Sequence, residues 1–217
     1  MTVFQPKLDI LPAAQRHLWP ELRELPASFV LYGGTALALR VGGRESEDFD
    51  LFTNDPVDAL RLASSLSFLK GAELIQSAPS TATFLVDRGG RVKISFFGGL
   101  ILGRVGVPQR CHDHGLSVAS LLDLAAQKVR VVQVRAERKD YLDLATLMAH
   151  GVSLARALGA AQTLYPGFAP LVTLKALSYF GDGDLETLPD LIKNTLAKSA
   201  GSVRSIETVP LLGERLT

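Results

Sequence analysis

A chain of 217 residues has room for one domain, or for a core with an appendage, and 47% apolar residues are ample to fill that core. With 21% charged residues and a net charge of +1, it is neither a disordered polyelectrolyte nor a globally basic nucleic-acid binder, so any polyanion must be met by a local patch. The single cysteine, Cys111, excludes an internal disulfide and fits a reducing compartment.

The first residues lack the basic stretch and apolar run of a signal peptide, and no uninterrupted apolar stretch is long enough to span a bilayer. The expectation is therefore a cytoplasmic protein with no membrane partner. Leu18, Leu22 and Leu25 are spaced for a helix over Pro12 to Leu25, broken by Pro26. Phe29 to Tyr32 is a short β-prone run ending at Gly33-Gly34, and Thr35 to Val41 reads as a helix stopped by Gly42-Gly43. Asp48 to Phe52 reads as a second strand. A helix follows over Asp55 to Leu66, started by Asn54 or Asp55 with Pro56 in its first position. Thr83 to Val86 and Val92 to Phe97 flank a glycine turn and form a hairpin. Beyond about residue 115 the pattern becomes helical, over Val118 to Ala136, Lys139 to His150, Leu154 to Tyr165, Ala169 to Phe180 and Leu188 to Ala200. Strands in front and helices behind give an α+β protein, divided between Gly106 and Leu116: a core of 1–112 and a helical region of 113–217.

Ser46, Asp48 and Asp50 alternate with Glu47, Phe49 and Leu51, so on a strand the two aspartates share one face while Phe49 and Leu51 anchor the other. Adjacent carboxylates repel and call for a counter-charge. A divalent cation suits the position, since Mg²⁺ takes a few carboxylates and completes its shell with water and phosphate oxygens. Gly33-Gly34-Thr35 lies between a strand and a helix, where glycines let backbone amides approach a phosphate and the helix start favours an anion. Arg44 can pair with phosphate or an aspartate, and Ser46 can donate to a phosphate oxygen. Taken alone, the glycine turn and the Asp-x-Asp strand each have a plain structural meaning; their succession points to a metal–nucleotide site.

Gly33-Gly34-Thr35-Ala36-Leu37-Ala38-Leu39, followed by Arg44-x-Ser46-x-Asp48-Phe49-Asp50-Leu51-Phe52, resembles the nucleotidyltransferase toxins of the AbiEii/AbiGii family, in the DNA-polymerase-β-like superfamily. Val92 to Phe97, Asp123 to Lys128, Arg138 to Leu144 and Leu177 to Phe180 extend the resemblance over roughly residues 28 to 200. The resemblance implies a polymerase-β-like mixed sheet with a helical C-terminal half, and an enzyme that moves a nucleotide from an NTP to an acceptor and releases pyrophosphate. By the resemblance Gly33, Gly34 and Ser46 would hold the triphosphate and Asp48 and Asp50 would hold Mg²⁺ (or Mn²⁺), with Thr35 and Arg44 beside them as further nucleotide-binding candidates. The resemblance also turns Lys128, Lys139, Asp140 and Asp143 to the nucleotide, with Lys128 on the triphosphate and Asp140 orienting Lys128 or Lys139. Relatives extend tRNA 3′ ends, which makes tRNA the first acceptor to test and a cognate antitoxin a partner.

The superfamily's third carboxylate belongs on the strand over Val92 to Phe97, where the site-facing residues are Lys93 and Ser95. Full two-metal catalysis is thereby put in question; Lys93 can instead neutralise phosphate. Two other readings stand beside the toxin enzyme: a nucleotide-binding regulatory module without turnover, and a transferase acting on a small molecule or protein side chain. The remaining candidates read as structure. Cys111-His112-Asp113-His114 is too tightly spaced to chelate zinc, and Asp182 and Asp184 lack the closing glutamate of a calcium loop. No P-loop and no Gly-x-Ser-x-Gly elbow occurs.

Overall fold

Short apolar runs punctuated by glycine turns assemble into one mixed sheet in the computed structural model, which describes residues 2–217. Among the described residues the sheet has eight strands: β1 (Val3–Phe4), β2 (Val30–Tyr32), β3 (Asp48–Phe52), β4 (Glu73–Ala78), β5 (Thr81–Asp87), β6 (Arg91–Phe97), β7 (Gln109–Cys111) and β8 (Ser117–Val118). Their order is β1-β7-β8-β2-β3-β6-β5-β4. The centre is β2 antiparallel to β3 and β3 parallel to β6. Phe49 and Leu51 of β3, with Leu31, Ile94 and Phe96, are fully buried, as the alternation along β3 requires.

The chain divides into two units. The first holds all of these strands and comprises the chain up to Gly103, Val107–Ser120 and Gly213–Thr217. Its helices are α1 (Ala13–Leu18), α2 (Gly33–Val41) and α3 (Ala59–Ser65). The single helix expected over 12–25 is instead α1 followed by a 3-10 segment, Trp19–Glu24. Pro20 has no N–H to continue the α ladder. Also corrected is the helix expected from residue 55, which begins at Ala59. Asp58 caps it, accepting from the Arg61 N–H at 2.8 Å. Asn54 is occupied elsewhere, donating to the carbonyls of Leu100 and Leu102 at 2.7 and 2.9 Å.

The second unit, Arg104–Gly106 with Leu121–Leu212, is helical. It contains α4 (Leu121–Val131), α5 (Arg138–Ala149), α6 (Leu154–Leu164), α7 (Pro170–Ala176) and α8 (Asp190–Ser202). Leu124, Val129, Leu144, Leu147, Leu158 and Leu196 fill its core. Two helices are shorter than their periodicity predicts. Val118 is spent on β8 and α4 stops at Val131, while α7 stops at Ala176. Side-chain bonds take over there: the Thr173 hydroxyl donates to the Val129 carbonyl at 2.7 Å and Gln133 donates to Thr173 at 2.8 Å. Among the described residues, no single helix is long and apolar enough to cross a membrane.

Candidate active site

The first unit brings the glycine turn and the acidic strand into contact. β2 runs directly into α2, whose first residue, Gly33, has φ +75°, a conformation that glycine adopts without strain. A Cβ at Gly33 would overlap the Asp50 carboxylate. One at Gly34 would lie 2.7 Å from Arg44 Nη2 and 2.8 Å from Ser46 Oγ. The two glycines are thus what allows the start of α2 to sit against Arg44, Ser46 and Asp50. No side chain caps α2, a helix of nine residues. Its first-turn amides and the positive end of its dipole face the direction from which an anion is best received.

The strand register sets the rest. Asp50 lies opposite Tyr32 on β2 and beside Ser95 on β6, and Asp48 lies beside Lys93. Asp48 and Asp50 are both half-buried, on the face opposite Phe49 and Leu51. Lys93 Nζ is 2.8 Å from Asp48 Oδ2, so a lysine already supplies the counter-charge that adjacent aspartates demand. Thr35 is fully buried, and its hydroxyl donates to the Asp48 carbonyl at 2.5 Å, tying α2 to β3. Ser95 is buried and accepts from the Thr83 hydroxyl at 3.3 Å. Thr83 was not among the expected site residues. The signal for it is the hairpin itself: a turn pairing Asp87 with Arg91 places Thr83 opposite Ser95.

In the helical unit a second charged cluster forms. Lys128 Nζ lies 2.6 Å from Asp140 Oδ1 and 2.7 Å from Asp143 Oδ2, and Arg135 Nε lies 2.7 Å from Asp140 Oδ2. Lys128, Asp140 and Asp143 are all buried. Burial alone would raise the Asp140 pKa, but the Lys128 and Arg135 charges and hydrogen bonds outweigh it and hold the carboxyl below its ordinary value. Lys139 is half-exposed and ion-paired with Glu137 at 2.9 Å. Arg130 stacks over the Tyr165 ring, 4.5 Å from its centroid.

The segment around Cys111 has its own structural tasks. The thiol is buried and pushed up to about 12, and Asp113 accepts from the Trp19 indole at 2.6 Å. Asp184 accepts from the Arg138 N–H at the start of α5, at 2.5 Å. Among the described residues, no group of three or more His, Cys, Asp or Glu is placed to hold a metal. The donor set on β3 is therefore two carboxylates. It fits Mg²⁺ in a site completed by water and phosphate oxygens, and it does not fit an all-protein cage.

The sequence profile of the nucleotidyl transferase AbiEii toxins, of type IV toxin–antitoxin systems, matches residues 21–205. The chain belongs to the AbiEii family. An uncharacterized protein of Aquifex aeolicus (strain VF5) is 31% identical over 166 residues, covering 75% of this chain and 79% of that protein. A Helicobacter pylori crystal structure assigned as a nucleotidyltransferase superposes with a TM-score of 0.56 at 18% identity, over 86% of this chain and 91% of that one. MenT4, a nucleotidyltransferase toxin of Mycobacterium tuberculosis H37Rv, superposes with a TM-score of 0.59 at 13% identity, over 87% and 82%. At these identities the structures establish the fold, and the expected α+β nucleotidyltransferase architecture is the one observed. The AbiEii match spans both charged clusters, the one on β3 and the one between α4 and α5.

Proposed function

We propose that this AbiEii protein is a cytoplasmic, Mg²⁺-dependent toxin that transfers a nucleotide from an NTP to an acceptor hydroxyl, with the tRNA 3′ end as the first acceptor and a cognate antitoxin as its restraint. One observation carries the reading: the glycine turn that starts α2 sits against Asp50, Arg44 and Ser46 on and before the acidic strand. Amides of Gly33 and Gly34 receive the triphosphate at the start of α2. The Ser46 hydroxyl and Arg44 guanidinium, one neutral and one charged donor, fix its oxygens. Asp48 and Asp50 hold the ion. When bound, Mg²⁺ neutralises charge on the phosphate oxygens and on the departing pyrophosphate. Thr35 is a positioning residue, since its buried hydroxyl is engaged by the β3 backbone. Ser95, which accepts from Thr83, lies beside Asp50 in the strand register and places a neutral hydroxyl at that position. By family resemblance Lys128, Lys139 and Asp140 contribute to nucleotide binding. The AbiEii match supports the antitoxin.

The assay is direct. Purified protein is incubated with Mg²⁺, each labelled NTP and total RNA. The reading expects label on RNA with at least one NTP, and its loss in Asp48→Ala. Equal labelling by Asp48→Ala overturns it. NTP binding without transfer to RNA, small molecules or protein favours the non-catalytic module, a reading motivated by Ser95 in place of an acid. Transfer to a small molecule or protein keeps the chemistry and replaces the acceptor.

A further inference from the structure

The sheet face that presents Asp48 and Asp50 already carries a fixed cation. Lys93 neighbours Asp48 in the parallel register of β3 and β6, and its ammonium lies 2.8 Å from Asp48 Oδ2. Resting on the transferase reading above, we propose that this site works with a single divalent ion, the Lys93 ammonium serving in place of a second.

The donor chemistry argues for this. Two divalent ions at catalytic spacing, about 3.5–4 Å, need carboxylates enough to bridge and anchor both. This face offers two. The position beside Asp50 on the neighbouring strand is Ser95, a buried neutral hydroxyl that is also hydrogen-bonded by Thr83. Neither hydroxyl brings the charge that a second ion requires.

Charge balance points the same way. Two carboxylates, the Lys93 ammonium, the Arg44 guanidinium and one divalent ion leave a surplus of two positive charges to receive a polyphosphate. A second divalent ion would double that surplus and press it against an ammonium already in contact with Asp48. Lys93 is suited to the substitute role. Its side chain is 40% exposed, so its donors reach substrate oxygens, while its backbone is fixed in the centre of the sheet. An ammonium presents three donors and a point charge, enough to neutralise phosphate without ligand exchange.

The test counts Mn²⁺ by electron paramagnetic resonance on the full chain, with non-hydrolysable analogues of the four NTPs. Wild type is expected to take one Mn²⁺ per chain with its preferred analogue. Lys93→Met with Ser95→Asp, which removes the ammonium and restores an acid, is expected to take two. Lys93→Met alone should tighten Mn²⁺ about tenfold in the absence of nucleotide, by unmasking Asp48. Thermal unfolding confirms that each variant is folded. Two Mn²⁺ on wild type overturn the inference and leave the nucleotide site standing. A folded double variant that still takes one also overturns it. Failure of every analogue to bind wild type overturns the transferase reading and this inference with it.

Discussion

Two acids and a lysine occur twice in this molecule, and their surroundings differ. On β3, Asp48 and Asp50 are two apart on a strand beside Lys93; on α5, Asp140 and Asp143 are three apart on a helix facing Lys128. Side-chain exposure is 40% for Lys93 and 35% for Asp48, against 7% for Lys128, 0% for Asp140 and 2% for Asp143. In water a carboxylate can trade a lysine for an ion or a phosphate-bound metal at little cost. Out of water, removing Lys128 takes an ammonium from two buried carboxylates at once, with Arg135 still on Asp140, and the lost attraction is not replaced by solvent. The same chemistry is thus open to solvent and ligands on β3 and shielded from water between α4 and α5, and the dielectric surroundings set how tightly each cluster is held.

The sharpest way to break this comparison is Asp50→Asn. The amide keeps the shape and loses the charge, so nucleotide transfer should fall about 10³-fold, equivalent to roughly 4 kcal/mol of barrier. Stability should stay within about 1 kcal/mol, as for other partly exposed sites. Paired rate and urea-unfolding measurements decide the matter. A large loss of stability with activity retained would reverse the roles assigned to the two clusters.

Lys128→Met is the converse. It keeps the length of the stem and leaves Asp140 and Asp143 buried without their shared cation, which should cost about 3 kcal/mol of stability or more. The urea midpoint should drop accordingly. Exchanging all three residues for well-packed apolar ones should recover much of that loss, because the desolvation of the charges vanishes with them. If Lys128→Met leaves stability unchanged, the buried ion pairs contribute nothing to holding the helical unit together.

Gly34→Ala probes the exchange site through space alone, as Gly34 does not share the positive φ of Gly33. The new methyl would meet Arg44 Nη2 and Ser46 Oγ, both flexible ends, so the side chains must give way. The KM for NTP should rise about tenfold with stability lowered by about 1 kcal/mol at most. An unchanged KM would separate Arg44 and Ser46 from the triphosphate.

Much of this was legible in the sequence, unevenly. The β3 face could be read because Phe49 and Leu51 alternate with the aspartates, and burial on one face forces the register. The glycine turn was legible for the same reason that it works: few other residues permit that backbone. β1 and β8 have two residues each and β7 three, too short for any period to show. β4 is exposed along its whole length and has a register shift at Ile75, so no alternation marks it. The i, i+3 spacing of Asp140 and Asp143 places both on one helix face. That Lys128 would meet both in the interior depends on how α4 packs on α5, which no local pattern encodes.

The smallest effect, in acid, reports on the buried cluster. Asp140 has a folded pKa below its ordinary value of about 3.9, so the unfolded chain takes up the proton first as pH falls. Its contribution is therefore complete above about pH 5 and is lost progressively below about pH 4. His114, in the sheet-bearing unit against Trp19, adds an earlier step. Burial lowers its pKa, so the unfolded chain gains a proton from about pH 6.5 downward and stability begins to decline there. Urea midpoints measured from pH 8 to pH 3 should fall in two stages. His114→Gln should remove the upper stage and keep the lower. Lys128→Met should flatten the lower stage, since without its lysine Asp140 is no longer held as strongly below its ordinary value. A lower stage that persists unchanged in Lys128→Met would assign the acid sensitivity to other carboxylates and leave the buried cluster with no electrostatic signature.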